Sequence, residues 1–245
     1  MVNLLYTELL KLKRSKMFFI SILGASVAPI LIVVASFLHL KTKTNAEPIL
    51  FEELFFQGNL YTVIIIGVPL YGVVTAYLFI REYLEDTLKN LLTIPVPRFS
   101  LIICKSILLF LWIMLLTMFT WSITLGLGVL FQFEGLSASL VIHSFRQFLL
   151  GGALLFVLSS PIIFITLWLK NYVPTIICTI VITLMNVMAS NSEHRDLFPW
   201  AAAGDIATNS MLSTYPAMYS YMIIGVISVV GWVCTIFYFN RVDVN

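Results

Sequence analysis

Six long apolar runs constrain this chain more than any other feature. They fall at about 17–40, 60–80, 106–130, 148–169, 173–189 and 217–239. A helix needs about 20 predominantly apolar residues to cross the hydrocarbon of a bilayer. In that medium only helices and closed barrels satisfy their own backbone polar groups. The run Val173 to Ala189 sits at the short limit for a crossing. Composition agrees with the runs: 60% of residues are hydrophobic and 11% charged, against about 25% charged in a soluble domain. The expected fold is all-α and integral to the membrane, with residues 1–245 forming a single transmembrane domain of six spans.

The segments between the runs are of several kinds. Leu5, Leu9 and Leu12 recur at one helical face, with Glu8, Lys11, Lys13, Arg14 and Lys16 opposite. This pattern predicts an amphipathic interfacial helix on an anionic leaflet. The run after it, Met17 to Leu40, is too long for the h-region of a signal peptide, so it reads as a retained first span. Leu50 with Leu54, and Phe51 with Phe55, pair at i, i+4 beside Glu52 and Glu53. They predict a second surface helix, on the opposite side. Gly67, Pro69 and Gly72 soften span two, Phe131 to Gln147 reads as a short loop, and Lys170-Asn171 as a tight turn. Between Ser190 and Tyr215, LFPWAAAGDIA is too short to cross yet apolar. It is either a re-entrant segment covered by protein or a loop with Trp200 at the interface.

Charge sets the orientation. With the N-terminus inside, the inner segments hold Lys11, Lys13, Arg14, Lys16, Arg81, Lys89, Arg98, Lys105, Lys170 and Arg241. The outer segments hold only Lys41, Lys43, Arg146 and Arg195. The positive-inside rule therefore predicts cytoplasmic termini. It also places Arg81 to Arg98, REYLEDTLKNLLTIPVPR, in the cytoplasm. There Leu84, Leu88, Leu91 and Leu92 share one helical face, Glu82, Glu85, Asp86 and Lys89 lie mostly off it, and Pro95 and Pro97 end the helix. Such a helix enters a groove on a soluble partner or rests on the lipid surface.

Little in the chain resembles catalytic machinery. None of its 12 glycines is followed by lysine, so it has no phosphate-cradling G-x-x-x-x-G-K-[ST] loop. H-E-x-x-H and G-x-S-x-G are also absent. His39, His143 and His194 are far apart and map to outer span ends or loops. Cys104, Cys178 and Cys234 have no disulfide or zinc spacing and read as packing residues. The span interiors hold few ionisable groups, whereas ion-coupled carriers need them. Lys105 is expected to snorkel at the end of span three. Asn186 reads equally as glue between helices and as a substrate contact. Any transport would draw its energy from another subunit.

Glu82, Thr87-Leu88-Lys89-Asn90-Leu91-Leu92-Thr93, Pro95, Arg98 and Lys105 together resemble the permease subunits of type-2 ABC exporters. The likeness is greatest to those serving bacitracin and lantibiotic immunity and peptide export. Asp86 stands where these proteins usually have glycine, and Pro97 where they often have serine or threonine. The resemblance implies a pore of two permeases, a second copy or a related chain, in a bacterial cell membrane. Two separate ABC ATPases would bind beneath and hold the ATP and magnesium, this chain being no enzyme and carrying no cofactor. Glu82, Leu84, Thr87, Leu88, Lys89, Leu91, Leu92, Pro95 and Arg98 would couple ATPase closure to the pore. Phe198, Pro199 and Trp200 would belong to an outer gate. The implied cargo is an amphipathic or cyclic peptide taken from the lipid, with no role for nucleic acid. The competing readings are an immunity or sensor protein that binds a peptide antibiotic without pumping it, and a lipid-modifying membrane enzyme.

Overall fold

The computed structural model describes residues 2–13, 15–42, 50–84 and 98–241. Among them the architecture is helical, and the one β contact is an isolated bridge between Leu50 and Glu134. Helix α1 (Val2–Lys13) precedes span one, α2 (Met17–Thr42). Span two is α3 (Phe51–Tyr61), a π turn (Thr62–Ile66) and α4 (Gly67–Leu84), joined without interruption. Span three is α5 (Arg98–Leu130), and span four is α6 (Ala138–Val157) with α7 (Ser159–Leu169). Span five is α8 (Tyr172–Ser190). A single 3-10 turn (Arg195–Leu197) leads into α9 (Pro199–Thr208), and span six is α10 (Ala217–Arg241). Among the described residues, six helices are long and apolar enough to cross a membrane.

Two of the expected segments are organised differently. The stretch around Phe51 is no separate surface helix but the start of span two, whose helix runs 34 residues, Phe51–Leu84. At 1.5 Å per residue that is about 50 Å, well beyond the roughly 30 Å of hydrocarbon. Its first turns are covered by protein: Phe51, Leu54 and Phe55 pack with Ile32, Val33 and Phe148 in a cluster of their own. The i, i+4 pairs do form one face, but that face meets spans one and four. Span four likewise begins ten residues before the apolar run, at Ala138, where Ser137 Oγ caps the helix by accepting from the Leu140 N–H. Most of the expected loop from Phe131 to Gln147 is therefore helix.

Span two lies at the centre. Val63, Val68, Tyr71, Val74, Leu78 and Phe79 join residues of spans three and four and of α9 in the main core. Span five packs on span two, and span six on α7. The break in span four has a chemical cause. Pro161 has no N–H for the Val157 carbonyl, and Ser160 Oγ reaches that carbonyl at 3.2 Å and the Ser228 carbonyl of span six at 3.0 Å. Span six answers with Gly231, where an added Cβ would lie 2.6 Å from the Pro161 nitrogen and 2.7 Å from the Ser160 carbonyl carbon. Backbone meets backbone, as at other small-residue crossings of membrane helices. Gly231→Ala is therefore expected to push the two helices apart and destabilise the chain by about 1–3 kcal/mol. An SDS-unfolding titration in mixed micelles reads this, and an unchanged midpoint would contradict the close crossing.

Candidate coupling site and outer helix

At one end of the bundle, four charged side chains from three elements meet. Glu82, on the last turn of span two, is 4% exposed. Its Oε1 accepts from Lys11 of α1 at 3.1 Å and its Oε2 pairs with Lys105 of span three at 2.9 Å. Lys105 is itself buried and also donates to the Leu78 carbonyl at 2.6 Å. Lys11 reaches back one turn to Glu8, which is buried against the bundle. Burial opposes the charge on Lys11, but the carboxylates of Glu8 and Glu82 outweigh it and hold its pKa above the usual lysine value. The cluster thus alternates sign from α1 through Glu82 to span three, and every charge in it has an opposite neighbour.

This arrangement gives several expected site residues a new setting. Glu82 is turned inward, holding two lysines. Lys105 does not snorkel, because a buried carboxylate and a carbonyl offer it better partners than water beyond the helix end. Leu84 is 54% exposed, on the outside of the last turn of span two. Thr87, Leu88, Lys89, Leu91, Leu92 and Pro95 lie outside the described residues. Arg98 opens the helix of span three. Glu8 and Lys11 also belong to this site, which the sequence pattern does not reveal. On an amphipathic helix such charges read as a solvated face, and only the packing of α1 on span three brings them inside.

The opposite end is closed by α9. Its length is about 15 Å, too short to cross a bilayer, and all ten of its residues, Pro199 to Thr208, are buried. Phe198 precedes it, Pro199 occupies its first turn where no N–H is needed, and Trp200 is 8% exposed, its ring beside that of Phe198. The Trp200 side chain is thus covered by its own chain. Two side chains from other spans hold the helix's last carbonyls: Asn59 Nδ2 donates to Ala207 at 3.4 Å and Gln147 Nε2 to Thr208 at 3.3 Å. Arg195 clasps the loop, pairing with Asp205 at 2.9 Å and donating to the Ser210 carbonyl at 2.7 Å. Burial pushes the Asp205 carboxyl up to about 6, against the pull of Arg195 and Ser210, while neighbouring Asp196 adds to the rise.

His194 and Tyr215 share a hydrogen bond of 2.8 Å in an exposed position. The three cysteines are free thiols, and no group of three or more potential metal ligands occurs among the described residues.

Among the described residues these features define a membrane-spanning protein, six helices with a charged anchor at one end and a buried cap at the other. The chain belongs to the ABC-2 family transporter proteins, whose family model matches residues 4–186. It is similar to the bacitracin transport permease protein BCRB of Bacillus licheniformis, with 53% identity over 205 residues, 84% of this chain and 99% of that one. The match to the family model ends before α9 and span six begin.

Proposed function

We propose that this chain is the membrane-spanning permease subunit of an exporter that expels bacitracin-like cyclic or amphipathic peptides from the membrane. ATP is hydrolysed, with magnesium, by two separate ABC ATPase chains, and a second copy of this chain or a related permease completes the pore. The observation that carries this reading is the 53% identity to a bacitracin permease over nearly all of that protein. The distribution of lysine and arginine supports cytoplasmic termini, with residues 81–98 facing the ATPases. The leucine face at 84, 88, 91 and 92 supports a docking helix there, and the buried Glu82 cluster supports a firm base for it. The ATPases would press on this base, and span two would carry the displacement toward α9, which serves as the outer gate.

The direct test is transport in inside-out vesicles bearing the permease with the ATPase that co-purifies with it. Labelled bacitracin is expected to accumulate in the lumen with ATP and magnesium, and not with an ATPase variant lacking its catalytic glutamate. Binding of bacitracin without ATP-dependent accumulation would instead establish a non-pumping immunity protein.

A further inference from the structure

Midway along span two the helix widens. The π turn Thr62–Ile66 ends with the Gly67 N–H donating to the Thr62 carbonyl. A Cβ on Gly67 would lie 2.6 Å from that oxygen and 2.6 Å from Leu155 Cδ1, so a glycine is needed to close the turn. Two residues on stands Pro69, which has no N–H. Its missing N–H is the one that the Ile65 carbonyl, four places back, would otherwise accept. The carbonyl of Ile64, inside the π turn, accepts from Asn186 Nδ2 of span five, at 3.1 Å. Asn186 is fully buried, and its Oδ1 has no hydrogen-bond partner among the described residues. An unpaired buried amide oxygen is costly, a cost an apolar residue would avoid. What the amide contributes is the donation to Ile64.

The same turn is the seat of α9. A Cβ on Gly204 of α9 would lie 3.0 Å from Ile64 Cγ1, so the two helices touch there. Asn59, one turn earlier on span two, holds the Ala207 carbonyl. Gly151 of span four lets Val63, the Asn59 amide and Ala207 converge, for a Cβ there would meet all three between 2.8 and 3.4 Å. Span five thus grips span two at the point where span two supports α9.

We propose that Asn186 is a positioning residue for transport: by holding the Ile64 carbonyl it keeps the π turn closed beneath α9 and keeps α9 seated. The seating is a property of this chain alone. Calling α9 a gate rests on the permease reading.

The test is hydrogen–deuterium exchange of the whole chain in lipid nanodiscs, comparing wild type, Asn186→Leu and Asn186→Leu/Pro69→Ala. Leucine keeps the number and branching of the side-chain heavy atoms and removes the unpaired oxygen, so the single variant is expected to fold. Amides of residues 200–208 should exchange at least about tenfold faster in Asn186→Leu, while those of span three keep their rates. They should stay fast in the double variant, because an alanine at position 69 returns a backbone N–H to the helix of span two without restoring the tie to span five. Wild-type exchange of α9 in Asn186→Leu, or its recovery in the double variant, would overturn the proposal. The vesicle assay then separates the two readings. Asn186→Leu vesicles should lose preloaded bacitracin at least about threefold faster than wild type. If α9 loosens while the vesicles retain their load, the seating stands and its part in transport falls. If wild-type vesicles never accumulate bacitracin, the permease reading fails whatever the exchange shows.

Discussion

Glu82→Ala is expected to destabilise the chain by about 3–5 kcal/mol, the usual cost of removing one partner from a buried ion pair. Lys105 is the residue that makes it so large. Its ammonium is buried, its other partner is the neutral Leu78 carbonyl, and without Glu82 its charge has no counter-ion at contact distance among the described residues. Lys11 loses less, because its side chain is 35% exposed and Glu8 remains beside it. Lys11→Ala should therefore cost only about 0.2–1 kcal/mol. The same reasoning gives a control. Glu82→Met with Lys105→Met replaces the pair with apolar side chains of similar volume, a change that is often neutral or stabilising. The double variant should recover most of the loss. SDS-unfolding midpoints of the four proteins check this. A double variant as unstable as Glu82→Ala would mean that the cluster acts through packing and not charge.

The second large effect is expected at Leu91, outside the described residues, where sequence periodicity alone carries the argument. Burying one leucine in a partner's groove contributes roughly 1.5–3 kcal/mol. Leu91→Asp removes that and adds the cost of desolvating a carboxylate. With tenfold in affinity for every 1.4 kcal/mol, ATPase binding should weaken by roughly 10- to 150-fold or more, and export should end. Insertion should be unaffected, since the segment lies between spans. Lys89→Ala, a rim charge, should change binding by only about 0.2–1 kcal/mol. Co-purification of the ATPase with wild type, Leu91→Asp and Lys89→Ala is the measurement. An ATPase that stays fully bound and active with Leu91→Asp would remove residues 84–92 from the coupling path.

The six spans are visible in the sequence because hydrocarbon demands long apolar stretches, and that demand acts on one helix at a time. Their apolar cores fall within the helices observed, from Met17–Leu38 to Ala217–Phe239. Helix ends are less visible. Span two begins nine residues before its apolar run and span four ten before, because Phe51, Leu54, Phe55 and Phe148 are covered by other spans rather than by lipid. A hydropathy window cannot tell those two coverings apart.

The charged and polar residues show the same division. Sequence alone determined that the chain is a six-span helical membrane protein, and through Glu82 and the T-L-K-N-L-L stretch it pointed to the ABC permeases. Those are properties of composition, periodicity and local order. Only tertiary structure decided that Glu8, Lys11, Glu82 and Lys105 form one cluster. It likewise decided that α9 is wholly covered by its own chain, and that Asn186 donates to the Ile64 carbonyl in the π turn. In that last case the partners, Asn186 and Ile64, are 122 residues apart in sequence. A charge or an amide has a meaning fixed by what faces it, and which groups face each other across helices is settled by packing.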